Sequence, residues 1–390
     1  MIPIYLDNNA TTRVAPEVVD AMLPYLTDYY GNPSSIHRVG AGASSGLKEA
    51  REKAAAFLRC RESEIVFTSG GTESNNAAIR GVLEAVPDKH HIVTTLVEHP
   101  SVLEMCKQLE ITRRRVTYVG VDRDGALDLS GLEHSITDET AIVSIMYANN
   151  ETGVVFPIDR IVEIVKSRGV LLHVDGVQAA GKIPIDMEKT GVDLLTLSGH
   201  KFHAPKGVGL LFIRRGTRAH PLIVGGGQEK GRRSGTENLP GIVGFGKALE
   251  LAEAHLAGGN DAICRLRDKL ERGILERIPN TVRNGAGEPR LPNTTNIGFE
   301  GVEGEAVLLL MDEAGICASS GSACSTGAIE PSHVLKAMGV PSALAIGSVR
   351  FSLSRYTTEE EIDRVIEILP PIVSRLRGLT DTGACDGGSP

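Results

Sequence analysis

The sequence predicts an α/β protein whose main sheet is mostly parallel and is covered by helices on both faces. Short apolar runs alternate with helical patterns between residues 64 and 213, a rhythm that is typical of parallel βα units. Polar residues follow the ends of several of these runs, and ligands of such sheets bind beside the carboxyl ends of the strands. The pattern therefore favours a ligand-binding or catalytic domain.

The elements of this large sheet can be placed in chain order. A helix is predicted from Pro16, followed by a loop at 30–35 and an Ala-rich helix that ends near Phe57. Strands are then predicted at 64–67, 92–96, 116–119, 141–146, 170–174, 192–197 and 208–213. Helices between them are predicted at 73–86, from Ser101 onward, and from a cap at Asp159 to Gly169.

The composition changes at 279–292, and the segment that follows predicts a smaller α/β unit. Its predicted strands and helices lie at 295–299, 304–314, 348–354 and 358–377, after two helices at 241–255 and 262–277. We therefore predict a large cofactor-binding domain at 14–258, and a small domain formed by 1–13 together with 259–377. The small, polar residues 378–390 predict a disordered tail.

Length, charge and composition exclude several classes of protein. The chain has 390 residues, enough for two domains, and its net charge of -8 argues against nucleic-acid binding. No run of ~20 apolar residues predicts a membrane span, and the first residues lack the pattern of a signal peptide. The 6 cysteines form no Cys-x-x-Cys pair, so we expect free thiols in a cytoplasmic protein.

Polar side chains of seven residues fall just past the ends of the predicted strands. They are His99, Asn150, Asp175, Gln178, Ser198, His200 and Lys201. Any one of them alone is more often a helix cap or a turn residue. Together, at one edge of a parallel sheet, they indicate a binding site.

Lys201 lies in the segment 197–207, Leu-Ser-Gly-His-Lys-Phe-His-Ala-Pro-Lys-Gly, between the last two strands of the sheet. An amine held in a partly dry site can lose its proton and act as a nucleophile. Lys201 is therefore predicted to form a Schiff base with a carbonyl cofactor. The alternative is a polar turn from which the lysine extends its amine into solvent.

A phosphate site is predicted where the strand at 64–67 passes through Thr-Ser-Gly-Gly-Thr-Glu-Ser into a helix. Backbone N–H groups and the helix dipole attract anions there, and glycine lets a phosphate approach the backbone. Gly71 and the Thr72 hydroxyl are the candidate ligands, and the lack of a Walker lysine favours a monophosphate. The alternative is that Thr72 or Ser69 simply caps the helix. The glycine-rich, basic segment 225–236 is either a second phosphate-binding loop or a solvated surface loop.

Cys324 lies in Ser-Ser-Gly-Ser-Ala-Cys-Ser-Thr-Gly-Ala, residues 319–328. Buried structural cysteines occur in apolar runs, whereas glycine and small polar residues are typical of a mobile, accessible loop. Cys324 is therefore predicted to be a reactive thiol. Arg350 lies on an otherwise apolar strand and needs a carboxylate partner, from the protein or from a substrate.

A lysine amine, a phosphate site, an acid and an imidazole at neighbouring strand ends have one natural common ligand, pyridoxal 5′-phosphate. Asp175 is predicted to keep its ring nitrogen protonated, His99 to stack on the ring, and Gln178 to donate to the ring hydroxyl. The predicted phosphate ligands are Gly71, Thr72, Ser198 and His200.

These motifs resemble the cysteine desulfurases of the NifS/IscS class. That class is similar to the class V aminotransferases, with the aspartate-aminotransferase-like fold type I of pyridoxal-phosphate enzymes. The resemblance extends from residue 5 to about residue 377, and Ser-Ser-Gly-Ser-Ala-Cys at 319–324 is its most specific motif. The other motifs lie at 5–12, 68–75, 98–100, 149–153, 173–178, 198–201 and 233–238.

The resemblance implies that L-cysteine is converted to L-alanine while Cys324 receives the sulfur as a persulfide. Lys201 or His99 would move protons on the substrate, and Arg350 and Asn150 would bind its carboxylate. No metal is expected in catalysis, although Cys324 would transiently contact an iron–sulfur cluster when it hands over the sulfur.

The resemblance also implies a homodimer, in which Thr236 reaches the phosphate of the cofactor in the neighbouring subunit. The expected sulfur acceptor is an iron–sulfur scaffold protein similar to NifU or IscU. The sequences at 154–157 and 231–233 are closer to the nitrogen-fixation type. The scaffold-docking motif at the C-terminus of the housekeeping type is not recognisable here.

From the residues alone, two other functions remain open. An aminotransferase or a selenocysteine lyase-like enzyme would use Lys201 and Asp175 without needing Cys324. A metal-dependent hydrolase would bind its ion through His99, His200 and His203. The lack of a His-Glu-x-x-His sequence disfavours the hydrolase.

Overall fold

The computed structural model describes residues 3–285, 287, 289–320 and 330–383 of the chain. Its N-terminal part forms β1 (Ile4–Tyr5), α1 (Pro16–Met22), α2 (Pro24–Thr27) and α3 (Arg38–Leu58). Helices α1 and α2 both begin with proline, which suits the first helical position because an N–H group there has no partner within the helix.

The central part alternates strands and helices, as predicted. In chain order these are β2 (Ile65–Thr68), α4 (Gly71–Ala85), β3 (His91–Thr95), α5 (Pro100–Ile111), β4 (Arg115–Val119), α6 (Leu129–Ser135), β5 (Thr140–Met146), α7 (Ile158–Ser167), β6 (Leu171–Asp175), β7 (Leu194–Ser198) and β8 (Gly209–Ile213). The short helix α6 was not predicted. Asp159 does not cap α7 as predicted, because Pro157 occupies the cap and Asp159 lies inside the first turn.

These strands form one seven-stranded sheet in the order β2-β8-β7-β6-β5-β3-β4. All neighbours are parallel except β8, which is antiparallel to both β2 and β7. The prediction of a mostly parallel sheet is therefore confirmed. Strands β5, β6 and β7 all end at one edge of this sheet, which places the residues that follow them side by side.

The C-terminal part forms a smaller α/β arrangement. It consists of α8 (Leu239–Ala257), α9 (Asp261–Arg277), β9 (Thr281–Asn284), β10 (Thr294–Phe299), α10 (Gly304–Glu313), β11 (Ile316–Cys317), α11 (His333–Ala337), α12 (Ser342–Ile346), β12 (Ser348–Ser352) and α13 (Glu359–Gly383). Strands β12, β10 and β9 form an antiparallel sheet, and β11 pairs in parallel with β1. Strands β9 and β11 were not predicted, because neither contains an apolar run long enough to be recognised.

The buried side chains form separate cores for the two parts. Clusters on both faces of the seven-stranded sheet include residues from Ala15 to Ala252. A second core joins Ile4 and Leu6 to residues between 263 and 373, because β1 pairs with β11. This arrangement supports the predicted domains, which nevertheless stay a prediction, since residues 334–345 pack with the large sheet.

Helix α13 continues to Gly383, beyond the predicted end at Arg377. The Arg377 guanidinium donates to the backbone carbonyls of Pro279, Asn280 and Glu300, at 2.9 to 3.3 Å, and so anchors the helix close to the residues predicted to be disordered. Helix α13 thus includes residues 378–383 of the predicted tail, whose disorder stays a prediction, while 384–390 lie outside the described residues. Within the described part of the chain, no helix combines the length and apolar character needed to cross a membrane.

Candidate active site

A cavity of about 410 Å³ lies at the edge of the large sheet where β5, β6 and β7 end. Ten of the predicted site residues line it: Gly71, Thr72, His99, Asn150, Asp175, Gln178, Ser198, His200, Lys201 and Arg350. Nine of them follow elements of the large sheet, and Arg350 comes from β12 in the C-terminal part. The cavity therefore lies where the two parts of the chain meet.

Eight residues that line the cavity were not predicted individually: Asn9, Ala10, Asn75, Ser101, Met146, Ala148, Val177 and Ser319. The segment around Asn9 and Ala10 was recognised only as polar and turn-rich. This segment contacts Lys201, which lies about 190 positions later in the chain, and local sequence spacing cannot predict a contact between such distant residues. Asn75 and Ser101 each lie next to a predicted residue group, so a closer analysis of polar residues in the first helical turns would have found them.

Lys201 ends a single turn of 3₁₀-helix, Gly199–Lys201, that directly follows β7. Its amine donates to the backbone carbonyls of Asn9 and Ala10, at 2.6 and 2.7 Å. Burial and the nearby guanidinium of Arg350 lower the pKa of Lys201 to about 8, although Asp7 and Asp175 act in the opposite direction. A substantial fraction of this amine is therefore an unprotonated nucleophile at slightly alkaline pH.

Asp175 is the last residue of β6, and only 7% of it is exposed. One carboxylate oxygen accepts from the side-chain amide of Asn75 at 2.8 Å, and the other from the backbone N–H of Val177 at 3.0 Å. Two N–H donors hold the carboxylate in one orientation at the cavity wall. A fixed negative group of this kind suits the protonated ring nitrogen of pyridoxal phosphate.

His99 caps helix α5, and its Nδ1 atom accepts from the backbone N–H of Ser101 at 3.1 Å. The Ser101 hydroxyl lies 2.8 Å from the same nitrogen. The ring is open toward the cavity, yet the surrounding protein and the cation of Lys201 lower the pKa of His99, while Asp175 opposes the shift. A neutral imidazole facing the cavity can stack on an aromatic ring.

The phosphate site predicted at the N-terminus of α4 stays a prediction, and the backbone there is compatible with a bound anion. Helix α4 begins at Gly71 after the cap residue Gly70, and no side chain caps it. The alternative, capping by Thr72 or Ser69, is therefore wrong, and the first N–H groups stay available to an anion. A Cβ atom on Gly71 would lie 3.0 Å from Val177 and 3.5 Å from Ser198, so a larger residue would crowd this pocket.

His200 lies on the same wall, with its Nδ1 atom 3.1 Å from the Thr11 hydroxyl. Burial, together with the cations of Lys201 and Lys206, lowers the pKa of His200 to about 4. His200 is therefore neutral at neutral pH and can donate one N–H to a phosphate oxygen. The glycine terminus, two hydroxyl side chains and this imidazole together fit a phosphate monoester.

Arg350 is 3% exposed and is held by the protein itself. Its guanidinium donates to a carboxylate oxygen of Asp7 at 2.6 Å and to the backbone carbonyl of Asn150 at 3.1 Å. The carboxylate partner that the sequence required is thus Asp7, although the Nε–H group is buried without a partner among the described residues. That donor leaves Arg350 able to bind a further acceptor.

Of the remaining two predicted site residues, one does not line this cavity and the other is not described. Thr236 is exposed and does not line it, so its predicted contact with the cofactor of a neighbouring subunit stays a prediction. Cys324 lies outside the described residues. Ser319, five positions earlier, lines the cavity, and its backbone pairs with that of Arg350 on β12.

The basic segment 225–236 is bound to the protein through its charged residues. Glu229 forms an ion pair with Arg51 at 2.6 Å, and Arg233 forms one with Glu73 at 2.9 Å. The segment is therefore not simply a solvated loop. Its remaining residues do not line the cavity of their own chain.

The three histidines of the hydrolase alternative do not converge. His203 lies in a different cavity, and its Nδ1 atom donates to the backbone carbonyl of Arg13 at 2.9 Å. Within the described ranges, no group of three or more His, Cys, Asp or Glu side chains is placed to hold a metal ion.

Comparison with known proteins agrees with this fold and site. Residues 4–365 match the family described as Aminotransferase class-V, and the chain belongs to that family of pyridoxal-phosphate enzymes. Within it, the chain groups with the NifS-like cysteine desulfurases. It is 60% identical to a cysteine desulfurase of Trichormus azollae, over 97% of this chain and 95% of that protein.

Two further relatives support the same grouping. The chain is 52% identical to the cysteine desulfurase NifS of Azotobacter vinelandii, over 97% of this chain and 95% of that protein. A solved NifS-like protein superposes with a TM-score of 0.91 and 42% sequence identity, covering 96% of this chain and 100% of that one. The prediction of fold type I is therefore confirmed.

Proposed function

We propose that this protein removes the sulfur of L-cysteine, releases L-alanine and leaves a persulfide on Cys324. The observation that carries the proposal is the cavity, which joins Lys201 and Asp175 to Arg350 in a chain of this family. We further propose that the protein works in the cytoplasm and passes the sulfur to an iron–sulfur scaffold protein of the NifU or IscU kind.

The residues of the cavity fit pyridoxal phosphate. When bound, this cofactor supplies an aldehyde that binds amines and a ring that accepts electrons from the substrate α-carbon. Asp175 would face the ring nitrogen, His99 the ring face and Gln178 the ring hydroxyl. The phosphate would be held by Gly71, Thr72, Ser198 and His200, joined by Thr236 of a second subunit.

Lys201 is the residue best suited to move protons in this cavity. Its pKa of about 8 lets the amine lose and regain a proton close to neutral pH. The carbonyls of Asn9 and Ala10 accept from the amine and keep it at the cavity wall. We therefore assign to Lys201 both the attachment of the cofactor and proton transfer at the substrate carbons.

Arg350 is proposed to bind the carboxylate of the substrate. Its buried Nε–H group has no partner among the described residues, and an incoming carboxylate would satisfy it. Asn150 lines the same part of the cavity, and its backbone carbonyl fixes the guanidinium. Asp7 already balances part of the arginine charge, so the site accepts one carboxylate without a large excess of charge.

We propose that Cys324 acts on this substrate, because its place in the sequence keeps it close to a residue that lines the cavity. It lies five positions after Ser319, which lines the cavity, and five positions of extended chain span at most about 17 Å. Its thiolate would attack the substrate sulfur, so that an S–S bond forms as the C–S bond breaks. The electron pair of the C–S bond passes to the substrate carbon, which takes up a proton from Lys201 and leaves as alanine.

A homodimer is proposed from the exposed apolar residues around α1 and α2. Leu23, Leu26, Tyr30 and Ile36 are between 51% and 104% exposed, which is unusual for a chain that works alone. Sedimentation of the purified protein at several concentrations tests this proposal. A monomer throughout, together with full activity of Thr236→Ala, would contradict both the dimer and the role of Thr236.

Cys324→Ser tests the function directly. We expect this variant to keep the visible absorption of the bound cofactor and to change it on addition of L-cysteine, yet to release neither alanine nor sulfide. In the wild type, peptide mass spectrometry after brief exposure to L-cysteine should place one extra sulfur on Cys324.

Cys317→Ser is the matched control. Burial and the carboxylates of Asp312 and Asp7 raise the pKa of Cys317, which makes it a poor nucleophile, so the variant should keep its activity. Sulfur found on Cys317, or normal alanine release by Cys324→Ser, would contradict the proposal. Transfer of the amino group without release of sulfur would instead indicate an aminotransferase.

A further inference from the structure

Four side chains form a continuous line of hydrogen bonds from the sheet edge to His99. The Asn75 amide lies 2.8 Å from the carboxylate of Asp175 and 2.9 Å from the hydroxyl of Ser101. That hydroxyl lies 2.8 Å from Nδ1 of His99. The residues come from β6, α4 and α5, so the line joins three separate elements around the cavity.

The chemistry of each group fixes the direction of these hydrogen bonds. A carboxylate only accepts, so the amide nitrogen of Asn75, not its oxygen, must face Asp175. The second N–H of this amide donates to the hydroxyl oxygen of Ser101, so this oxygen is the acceptor in the hydrogen bond. The hydroxyl hydrogen is then free to point at His99 Nδ1.

The backbone of α5 independently indicates that Nδ1 of His99 is a hydrogen-bond acceptor. The N–H group of Ser101 lies 3.1 Å from Nδ1 of His99, and a backbone N–H can only donate. Nδ1 therefore carries a lone pair, and in the neutral ring the proton belongs to Nε2. Protonating Nδ1 would place its hydrogen against the N–H of Ser101.

We propose that Asn75 and Ser101 are positioning residues that hold His99 as the neutral imidazole with its proton on Nε2. His99 then offers a hydrogen-bond donor to the molecule in the cavity and does not act as the base. The role of His99 during turnover rests on the proposed function. In that function, Lys201 rather than His99 transfers protons at the substrate carbons.

The charged and titratable groups around His99 favour the same state. Burial, Lys201 and His333 disfavour a cationic ring, whereas Asp175 favours it. The Asp175 carboxylate is itself occupied by N–H donors of Asn75 and Val177. A hydrogen bond to the acceptor nitrogen stabilises the neutral form of an imidazole over its charged form.

Nitrogen NMR of histidine-labelled, cofactor-free protein tests the proposal, with His99→Asn used to assign the signals. In the wild type at neutral pH we expect Nδ1 to be unprotonated and Nε2 to carry the proton. Ser101→Ala removes one donor to Nδ1, so the pKa of His99 should rise by roughly half a unit to one unit. Ser101→Thr keeps a hydroxyl and should restore the wild-type value.

Asn75→Ala should raise the same pKa by a smaller amount, because it loosens Ser101 without removing it. Asn76→Ala is its matched control, since the half-buried Asn76 contacts Thr72 and Arg80 and not this line. A wild-type His99 with its proton on Nδ1, or a pKa unchanged in both Ser101→Ala and Asn75→Ala, would overturn the proposal.

The pH profile of alanine release separates this proposal from the function itself. If the NMR result holds but the loaded wild type releases no alanine, the proposed function fails and the assignment of the His99 proton stands. If alanine is released and Ser101→Ala shifts the His99 pKa without shifting the pH profile, His99 is not the base, as proposed. A profile that follows the His99 pKa would overturn the assignment of proton transfer to Lys201.

Discussion

Two lysine amines bind Asn9, and the comparison between them shows what makes one of them a functional residue. Lys201 donates to the backbone carbonyl of Asn9 and lines the cavity of about 410 Å³. Lys182 donates to the side-chain oxygen of Asn9 at 2.9 Å and to that of Gln178 at 2.6 Å. Lys182 is only 8% exposed and lines a much smaller cavity, of about 40 Å³.

The pKa values of the two amines do not show which of them binds the cofactor. Burial and the neighbouring cations lower the pKa of Lys201 to about 8 and hold the pKa of Lys182 well below its usual value. Judged by the direction of the pKa shift alone, Lys182 would be as good a candidate for the nucleophile as Lys201. It is instead enclosed between two side-chain oxygens, whereas Lys201 lies where a carbonyl compound can reach it. The accessibility of the amine to a carbonyl compound therefore decides which lysine is functional. A lowered pKa is needed for the amine to act as a nucleophile but is not sufficient.

The largest expected difference between the two lysines concerns the cofactor. When protein loaded with pyridoxal phosphate is reduced with borohydride, peptide mass spectrometry should find the cofactor fixed to Lys201 and not to Lys182. In Lys201→Ala, turnover should fall by at least ~10², because the proton carrier is lost. The phosphate site does not involve this amine, so the variant should still bind some cofactor.

Lys206→Ala is the matched control for that experiment. Lys206 lies in the same segment and is exposed, so its loss should change neither the labelled peptide nor the rate. Cofactor fixed to Lys182, or a normal rate of alanine release in Lys201→Ala, would contradict the assignment of Lys201 as the functional lysine.

The sequence predicted Lys201 and gave no reason to consider Lys182. Lys201 follows an apolar strand and is flanked by polar residues at the edge of a parallel sheet, a pattern that local spacing can reveal. Lys182 is important only because its amine meets Asn9, which lies 173 positions earlier in the chain. The same limit applies to Asp7, the partner of Arg350, which is separated from it by 343 positions.

The sheet itself was predictable for a related reason. Strands β2, β5 and β7 are buried along their whole length and rich in apolar residues, so that each of them can be recognised from its own sequence. Strand β11 pairs with β1 from the other end of the chain, and β9 pairs with β10 although it has no apolar run of its own. Local patterns thus predicted the residues at strand ends, while the contacts between the N-terminal segment and the rest of the site required the fold.

Asn9→Ala sharpens the comparison, because it removes the acceptor of Lys182 and keeps the backbone acceptor of Lys201. The lost side chain also binds Thr294 at 2.9 Å and the carbonyl of Asn150 at 3.1 Å. Buried groups left without partners should lower the free energy of unfolding by about 1–3 kcal/mol. Urea unfolding measures this loss, and borohydride labelling of Lys201 should persist.

The half-buried Asn76 provides the control for Asn9→Ala, since its side chain contacts only Thr72 and Arg80 of its own helix and Asn76→Ala should lower the unfolding free energy by less than Asn9→Ala does. If Asn9→Ala were as stable as the wild type, Lys182 would not depend on this contact. If labelling moved away from Lys201, the side chain of Asn9 rather than its backbone would be what positions the catalytic amine.

The smallest expected effect is a pH dependence of stability that belongs to Lys201 in the cofactor-free protein. Its folded-state pKa is about 8, against 10.5 for an ordinary lysine, so between these pH values the unfolded chain binds more protons. The wild type should therefore gain stability relative to Lys201→Met as the pH rises from 8 to 10.5, and the difference should be constant below pH 8. Parallel urea titrations of both proteins measure it, and Lys206→Met should show no such trend. A difference that stays flat, or that falls with pH, would mean that the Lys201 amine remains an ordinary solvated cation and that its place at the cavity wall does not activate it.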